Sequence, residues 1–472
     1  MKDKMLKPAI LSVSLLTIMA SAAVAPALGK IRLAFPEADA TLIKLILTLP
    51  ALMIIPFSLI SGKLVQNMKK KTLMMIGLVI YLIAGFGGGF AQNIIQLLII
   101  RGVLGIGVGI IMPLSTTLIG DFFKGDQRKK MMGLAGSVQN LGGVIFQIGA
   151  GFLAVISWRY AFGVYTIALF ILILVGLFLP EPPREEPTGV PGQKPRNKLP
   201  IAVYVIAFLC ILNMVVFFVM PTNLAMFLEH EKKLFTSDRA LFKSKEDFQK
   251  HLKAGTISKE TIDAFKGNGI TLSTDATLKP GEEKFTWEIT DKRKKFVIKK
   301  EDGKLIIKTE KLAKAAMAGY ILSAMSLSAM FAGLLLVGFA RIFRKFAIPI
   351  AILLMGLGYF LLSGASSIWI IFVAVVVIGF GFGTIQPTIF LTVQRIAPPN
   401  ARAFAMAIVG SSIFLGQFIS PIVMKGVVTI FNQDSFQFRF LALAFALGGA
   451  GILAIIISLF KPKKKATPKV YI

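Results

Sequence analysis

The sequence is poor in the residues from which most catalytic and metal sites are built. Its 472 residues include one cysteine, Cys210, and two histidines, His230 and His251. A single cysteine excludes an intrachain disulfide, and its apolar surroundings favour a small packing residue. The histidines lie 21 residues apart in a lysine-rich segment, which favours solvated side chains over a metal site. With no convincing Ser-His-Asp set or phosphate loop either, we expect no enzyme activity and no cofactor.

Charged residues are also scarce, at 16% of the chain, whereas hydrophobic residues make up 55%. This is more apolar material than a soluble domain needs, so the composition indicates a polytopic membrane protein. The net charge of +29 suggests nucleic-acid binding at first sight. Outside one polar insert, however, the basic residues lie in short loops between apolar segments, where they orient a membrane protein. We therefore expect the lipid bilayer as a partner and no nucleic acid.

Twelve apolar segments are expected to cross the bilayer as helices of roughly 20 residues. They are helix 1 at 8–28, helix 2 at 40–65, helix 3 at 72–90, helices 4 and 5 as a hairpin within 97–151, helix 6 ending at Pro180, helix 7 at 201–227, and helices 8 to 12 at 315–340, 347–364, 368–393, 403–430 and 440–460. Residues 1–29 imitate a secretory signal, but Pro26, just after the candidate cleavage site, favours a retained first helix.

The loops differ strongly in basic residues from one side to the other. About 25 Lys and Arg fall in the loops and tails of one side, against about 6 in or near the short loops of the other. Because cytoplasmic loops carry the excess of positive charge, this difference predicts that both the N-terminus and the C-terminus are cytosolic.

A pattern of glycine, proline and arginine in helices 4 and 5 recurs 274 residues later in the same frame. The matched pairs are Gly105 with Gly379, Gly107 with Gly381, Gly109 with Gly383, Pro113 with Pro387, Arg128 with Arg402 and Gly142 with Gly416. The pattern predicts two homologous halves, as in many secondary transporters. The predicted units are an N-terminal six-helix bundle at 1–180, a cytosolic linker at 181–199, helix 7 at 200–228, helices 8–12 at 313–460 and a basic cytosolic tail at 461–472.

The insert between helices 7 and 8, residues 229–312, is polar and holds 15 of the 24 acidic residues. Topology places it outside the cell membrane. Two short helices are predicted at 244–255 and 258–267, each between a serine cap and a glycine. Alternating apolar residues at 285–307, with Asp302-Gly303 as a hairpin signal, predict a three-stranded meander. We therefore expect a small α+β module.

Several motifs outside the insert belong together. They are Arg101-x-x-x-Gly105-x-Gly107, the pair Trp158-Arg159, Gly62-Lys63-Leu64 followed by Lys69-Lys70-Lys71, the stretch IAPPNAR at 396–402 and the stretch SIFLGQ at 412–417. They resemble the major facilitator superfamily, most closely its bacterial twelve-helix drug:proton antiporters. The resemblance implies an all-α membrane fold of two six-helix bundles that rock about a central cavity, in the cytoplasmic (inner) membrane of a bacterium.

The resemblance also implies a proton-coupling role for Arg101 in helix 4. An arginine at membrane depth costs about 2.5 kcal/mol or more, so it should face the bundle interior or a wet cavity. On the residues alone, Gln139, Asn140 and Gln147 of helix 5 are available partners. The alternative is a structural arginine bonded to helix-end carbonyls.

Three departures from the antiporter pattern leave the coupling open. Gln66 stands where the family has an aspartate between helices 2 and 3, and Phe146-Gln147 replaces the usual Gly-Pro of helix 5. In addition, no Asp or Glu is expected at mid-membrane, since Glu37 and Asp39 lie only at the outer edge of helix 2. Proton coupling is therefore expected to be unusual or absent.

Two sets of residues are candidates for function. The predicted gating set is Gly62, Lys69, Lys70, Lys71, Asp121, Arg128 and Arg402, in which Asp121 either pairs with the basic residues or is a solvated helix-end carboxylate. The predicted substrate and coupling set is Arg101, Gln139, Asn140, Gln147, Asn213, Asn223, Gln386 and Gln417. The alternative for each amide is a helix–helix hydrogen bond of about 1 kcal/mol.

The abundance of soft and aromatic side chains, 19 Met and 39 Phe, predicts a cavity for bulky apolar solutes. We expect a monomeric exporter of hydrophobic or amphipathic small molecules, with protons as a possible second partner. Two alternatives stay open: a lipid or glycolipid flippase or carrier that uses the insert as an accessory module, and a transport-inactive membrane receptor.

Overall fold

The structure is a computed structural model, and it describes residues 2–182, 199–230, 314–398 and 401–460 together with five strands between residues 238 and 311. Within these residues, twelve helices match predicted helices 1 to 12. They are α1 Lys2–Ala22, α2 Ala40–Asn67, α3 Lys70–Gly87, α4 Ile94–Phe122, α5 Gly125–Ile156, α6 Ile167–Phe178, α7 Ile201–His230, α8 Lys314–Phe343, α9 Ala347–Ser363, α10 Ile368–Ile396, α11 Arg402–Phe431 and α12 Phe436–Phe460.

Local sequence explains where several of these helices begin. Side-chain oxygens of Asp39, Asn93 and Ser367 accept hydrogen bonds from backbone N–H groups in the first turns of α2, α4 and α10. Such caps satisfy donors that a helix leaves free at its start. Two helices are less regular, because a 3₁₀ turn and the short helix Leu28–Ala34 continue α1, and the 3₁₀ segment Trp158–Thr166 precedes α6.

Length and hydropathy identify ten spans within the described residues as long and apolar enough to cross a membrane, or eleven if the bent pair Met5–Thr17 and Met19–Ala34 counts as one. One of the ten spans, Lys314–Ser363, has 50 residues. It contains both α8 and α9, which meet at Arg344, a residue with a positive φ of 48°. Whether it crosses once or twice depends on how these two helices pack.

The glycines of α4 face two different helices. A Cβ on Gly105 would collide with the Pro50 carbonyl oxygen of α2, and one on Gly109 would lie 2.9 Å from Cβ of Phe57, also in α2. In contrast, a Cβ on Gly107 would lie 2.9 Å from the backbone nitrogen of Tyr81 in α3. The missing side chains therefore let α2 and α3 pack against two sides of α4.

The matching glycines of α10 repeat this arrangement. Gly379 and Gly383 face the backbone of α8 at Met325 and Ala329, whereas a Cβ on Gly381 would lie 2.5 Å from the carbonyl oxygen of Ala351 in α9. Since α8 and α9 contact α10 at the same height, they lie side by side and the 50-residue span is a hairpin. The described chain thus has twelve crossing helices in two similarly packed halves, α1–α6 and α7–α12.

The two halves meet at one end of the bundle. The insert end is where α7 ends and α8 begins, and the linker end is where α6 ends and α7 begins. Towards the insert end, Ser323 of α8 donates to the carbonyl oxygen of Val144 in α5 at 3.0 Å. Towards the linker end, Thr116 and Thr117 of α4 and Ser137 of α5 are exposed. Each of these hydroxyl groups donates to a carbonyl oxygen of its own helix.

The described strands of the insert form one antiparallel sheet in the order β1-β5-β4-β3-β2. They are β1 Asp238–Phe242, β2 Thr277–Pro280, β3 Thr286–Asp291, β4 Lys294–Glu301 and β5 Lys304–Lys311. The predicted meander corresponds to β3, β4 and β5, and two further strands extend it on either side. The predicted helices at 244–255 and 258–267, the Asp302-Gly303 turn, most of the linker and the basic tail lie outside the described residues.

The close approach at Gly105 can be tested against a neighbour in the same helix. Gly105→Ala should lower the melting temperature of the purified protein, because overpacking costs about 1–3 kcal/mol. Gly102→Ala is the control, since its Cβ would lie an ordinary 3.9 Å from Met53. The measurement is the monodisperse fraction after heating in detergent. Equal melting temperatures for the two variants would contradict the packing described for α2 and α4.

Candidate functional site

Arg101 is fully buried in the first half and has a hydrogen-bond acceptor at each of its three nitrogens. Nε donates to the Ile46 carbonyl oxygen at 2.8 Å, and Nη1 donates to the Tyr165 hydroxyl at 2.8 Å. Nη2 donates to the Ala20 carbonyl oxygen. The arginine therefore joins α4 to α1, α2 and the segment that precedes α6.

Both carbonyl oxygens are free for a reason that lies in the sequence. In a regular helix the Ile46 oxygen would accept from residue 50, but Pro50 has no N–H. The Ala20 oxygen would accept from Val24, whose N–H instead contacts Ser21 because α1 ends at Ala22. Arg101 thus supplies donors to acceptors that a proline and a helix break leave without their usual partners.

The prediction that Gln139, Asn140 and Gln147 are the partners of Arg101 is wrong. Gln139 donates to Thr17 of α1 at 3.1 Å, and Asn140 donates to the carbonyl oxygen one turn before it. Gln147 accepts from Ser326 of α8 at 3.3 Å and so lies between the two halves. Backbone carbonyls satisfy the arginine more directly than these amides, since the helix break and Pro50 place them beside it.

The amides of the second half form two separate groups. Asn213 of α7 donates to Oε1 of Gln386 in α10 at 3.3 Å, and Nε2 of Gln386 lies 3.9 Å from Sγ of Cys210. Asn223 is buried near the insert end of α7, and Gln417 is buried in α11. The structure therefore brings Asn213 and Gln386 together but spreads the remaining candidates along the bundle.

Charged residues at the linker end form a network within the first half. Nζ of Lys70 lies 2.7 Å from Oδ2 of Asp121, which joins α3 to α4. The Glu181 carboxylate accepts from the backbone N–H groups of Lys70 at 2.7 Å and Lys71 at 3.0 Å. This contact ties the start of the linker to the N-terminus of α3, where negative charge is stabilising.

The other predicted gating residues do not join this network in the same way. Lys69 precedes α3 and is exposed, as are Gly62 and Arg402. The Arg128 guanidinium lies over α4, 3.3 Å from the position that a Cβ of Gly120 would occupy. Of the predicted set, Lys70, Lys71 and Asp121 are therefore brought into one cluster.

At the insert end, an ion pair joins α2 of the first half to α11 of the second. Nζ of Lys425 lies 3.1 Å from Oδ2 of Asp39. Hydrogen bonds from Thr41, and then the contact with Lys425, lower the pKa of Asp39 from its ordinary value of 3.8 to about 2. Because the folded-state pKa is depressed, Asp39 stays ionised from neutral pH down to that value and the pair is lost only below it.

A second charged group at the insert end surrounds the two ends of the insert. Glu229, in the last turn of α7, lies 3.7 Å from Nζ of Lys30 and 3.5 Å from Nζ of Lys314, the first residue of α8. Lys30 belongs to the first half, so this group also bridges the halves. Next to it, the ring of His230 packs on Phe436 of α12 at 5.8 Å.

Sequence reasoning missed two buried cations between these groups. Lys44 of α2 is 4% exposed and Arg439 of α12 is 7% exposed. Nη1 of Arg439 donates to Oδ1 of Asn223 at 3.1 Å, and Nη2 pairs with Asp434. The prediction starts helix 12 at Phe440 and so leaves Arg439 outside it. In the structure α12 begins at Phe436, and Arg439 lies in its first turn.

The second half also contains an apolar pocket of about 270 Å³. It lies between α7, α9, α10 and α12, with Asn213, Thr388 and Thr392 as its polar residues among aliphatic side chains. Leu209 and Leu212 at its edge are about half exposed. The pocket can accept an apolar group, and Asn213 places one of the predicted polar candidates on its wall.

The Arg101 network can be tested at its hydroxyl. Tyr165→Phe should destabilise the protein by about 1–3 kcal/mol, because it leaves a buried guanidinium N–H without its acceptor. Tyr160→Phe is the matched control, since Tyr160 is 57% exposed. The melting temperatures of the two variants in detergent report the difference. A Tyr165→Phe protein as stable as the control would show that Arg101 does not depend on this hydroxyl.

Comparison with known proteins places the chain in a family. The model of the Major Facilitator Superfamily matches residues 9–236 and 304–470, which is most of the chain apart from the insert. The multidrug transporter protein MdtP of Bacillus subtilis is 38% identical over 104 residues, covering 22% of this chain and 19% of MdtP. The multidrug efflux pump SdrM of Staphylococcus aureus is 30% identical over 175 residues, covering 36% of this chain and 39% of SdrM. The chain thus aligns with less than half the length of these relatives.

Solved structures agree with the fold. A crystal structure of a D-xylose-proton symporter superposes with a TM-score of 0.62 at 14% identity, over 96% of this chain and 97% of the symporter. The nucleoside transporter NupG gives a TM-score of 0.63 at 12% identity, over 97% of this chain and 100% of NupG. With the repeated halves, the crossing helices and the family match, the chain belongs to the major facilitator superfamily and is a membrane transporter rather than an enzyme.

Proposed function

We propose that this protein exports hydrophobic or amphipathic small molecules from the cytosol by alternating access. The observation that carries the proposal is the contact between two similarly packed halves at the insert end, together with exposed polar residues towards the linker end. Such an arrangement suits a carrier caught with its cavity open on one side. The names of the relatives MdtP and SdrM support a multidrug substrate class.

The orientation follows from charge. Apart from the insert itself, the short loops at the insert end carry few basic residues whereas the linker end carries many, so the linker end faces the cytosol and the insert lies outside. The membrane is the cytoplasmic membrane of a bacterium, in agreement with the bacterial relatives. The conformation described above is then inward-open, and the protein functions as a monomer with one cavity between its halves.

A proton-coupled carrier needs a group that can gain and lose a proton. Arg101 has carbonyl and hydroxyl acceptors rather than a carboxylate, so its contacts support a packing role. Asp39, with a pKa of about 2, stays ionised at physiological pH and does not carry the proton. Glu229 is the other described carboxylate that bridges the halves, through its pairing with Lys30.

A lipid flippase is the second candidate, and one observation favours it. The apolar pocket beside α9 and α12 has exposed leucines at its edge, and such side chains face acyl chains in a membrane. Everted vesicles that contain the protein should take up a fluorescent amphipathic dye when a proton gradient is imposed and lose this uptake with a protonophore. Movement of a labelled phospholipid without dye uptake would favour the flippase and contradict drug export.

Alternating access is tested by holding the insert end closed. Asp39→Cys and Lys425→Cys in a Cys210→Ser background place two thiols at the ion pair between the halves. A short bismaleimide should cross-link them and reduce export to the rate of vesicles without the protein. Each single cysteine variant treated with the reagent, and the double variant without it, are the controls and should still export. Export at an unchanged rate after full cross-linking would rule out opening at this end.

A further inference from the structure

The cluster of Lys44, Thr48 and Arg439 has an excess of positive charge in a buried place. Near it, Arg439 is paired with Asp434, and Lys425 is paired with Asp39. The charges of Arg439, Asp434 and Asp39 all act on Lys44. After these two pairs are formed, the ammonium of Lys44 remains, and it forms no hydrogen bond or ion pair with any described residue.

Two further buried donors lack acceptors. Oγ1 of Thr48 and Nε of Arg439 are buried without a hydrogen-bond partner among the described residues. Thr48 follows Lys44 by one turn of α2, so both side chains lie on one face of that helix. A buried donor without an acceptor costs about 1–3 kcal/mol, and an unpaired buried charge costs more.

The cluster therefore presents an amine, a hydroxyl and a guanidinium N–H that have no acceptors among the described residues. A carboxylate or phosphate group supplies one or two negative charges and several acceptor oxygens, which is what these donors lack. The residues next to the cluster in sequence, Ile43 and Leu47 of α2 and Phe440 of α12, are apolar and fully buried. The surroundings suit a ligand whose remaining part is apolar.

We propose that Lys44, Thr48 and Arg439 form an anion-binding site between the two halves, and that it takes the acidic group of an amphipathic substrate. The site lies at the insert end, where separation of α2 from the second half exposes it. This site names the substrate class of the proposed exporter. Only the passage of the substrate across the membrane rests on the proposed export function. Binding itself requires the folded chain alone.

The test uses the full-length protein purified in a neutral detergent at constant low chloride. The probes are octanoate, octylammonium as the cationic control and inorganic phosphate as a small anion. A ligand that binds only the folded state raises the melting temperature in a saturable way. We expect octanoate to raise it and octylammonium to leave it unchanged. Equal effects of octanoate and octylammonium would overturn the proposal.

Variants locate the effect. Lys44→Gln and Arg439→Gln should each weaken octanoate binding by about 10-fold to 100-fold, as expected for the loss of a charge-assisted hydrogen bond. Thr48→Val keeps both charges and should weaken binding by about 5-fold. Lys124→Gln, at an exposed lysine before α5, is the matched control and should bind as the wild type does. A wild-type response in Lys44→Gln or in Thr48→Val would contradict the site.

The stability of the unliganded variants separates binding from a structural role. Without ligand, Lys44→Gln should be at least as stable as the wild type, because it removes an unpaired buried charge. A large loss of stability would show that Lys44 is a structural residue whose charge is already met, and would overturn the proposal. Thr48→Val tests binding independently of this result, since it removes one hydroxyl and no charge.

The phosphate arm identifies the source of the anion. Saturation by octanoate at lower concentration than by inorganic phosphate supports an amphipathic acid. The reverse order would show a site for a free inorganic anion and overturn the substrate class. The two proposals can fail separately. If octanoate binds but cross-linking of the Asp39→Cys, Lys425→Cys variant leaves export unchanged, the anion site stands and alternating access is contradicted.

Discussion

The first half of this protein depends on how buried backbone carbonyls are satisfied without water. A membrane offers no solvent to a carbonyl oxygen that a proline or a helix break has freed, so a donor must come from within the bundle. Pro50 frees the carbonyl oxygen of Ile46, and the end of α1 frees that of Ala20. Arg101 donates hydrogen bonds to both oxygens, and the Tyr165 hydroxyl accepts one from its third nitrogen. One costly charge thus fixes the relative positions of four segments of the chain.

Much of this fold could be predicted from the sequence, because the deciding signals are local. Apolar length gives the helices, and glycines in equal frames mark the helices that approach closely. The partners of Arg101 could not be predicted from side-chain types, since two of its three acceptors are backbone atoms. Lys44 and Arg439 were missed because residues near a helix end look like loop residues, and only the folded bundle shows that they are buried.

The insert is connected to the transporter through charged residues at its two ends. Glu229 ends α7, Lys314 begins α8, and the pair they form is shared with Lys30 of the other half. Any force or ligand that separates the ends of the insert therefore acts on a contact between the halves. The alternation of apolar and polar residues predicted β3, β4 and β5 but could not predict the contact of Glu229 with Lys30. That contact depends on residues in the helices rather than in the sheet.

The difference between the two ends of the bundle suggests which end is held and which is free. At the insert end the ion pairs Asp39 with Lys425 and Glu229 with Lys30 cross from one half to the other, so they oppose separation. At the linker end the pair of Lys70 with Asp121 lies within the first half, so it stiffens that half without holding it to the second. Conversion to the opposite state must therefore break pairs at the insert end, and a negatively charged ligand beside Lys44 changes the charge balance at that same contact.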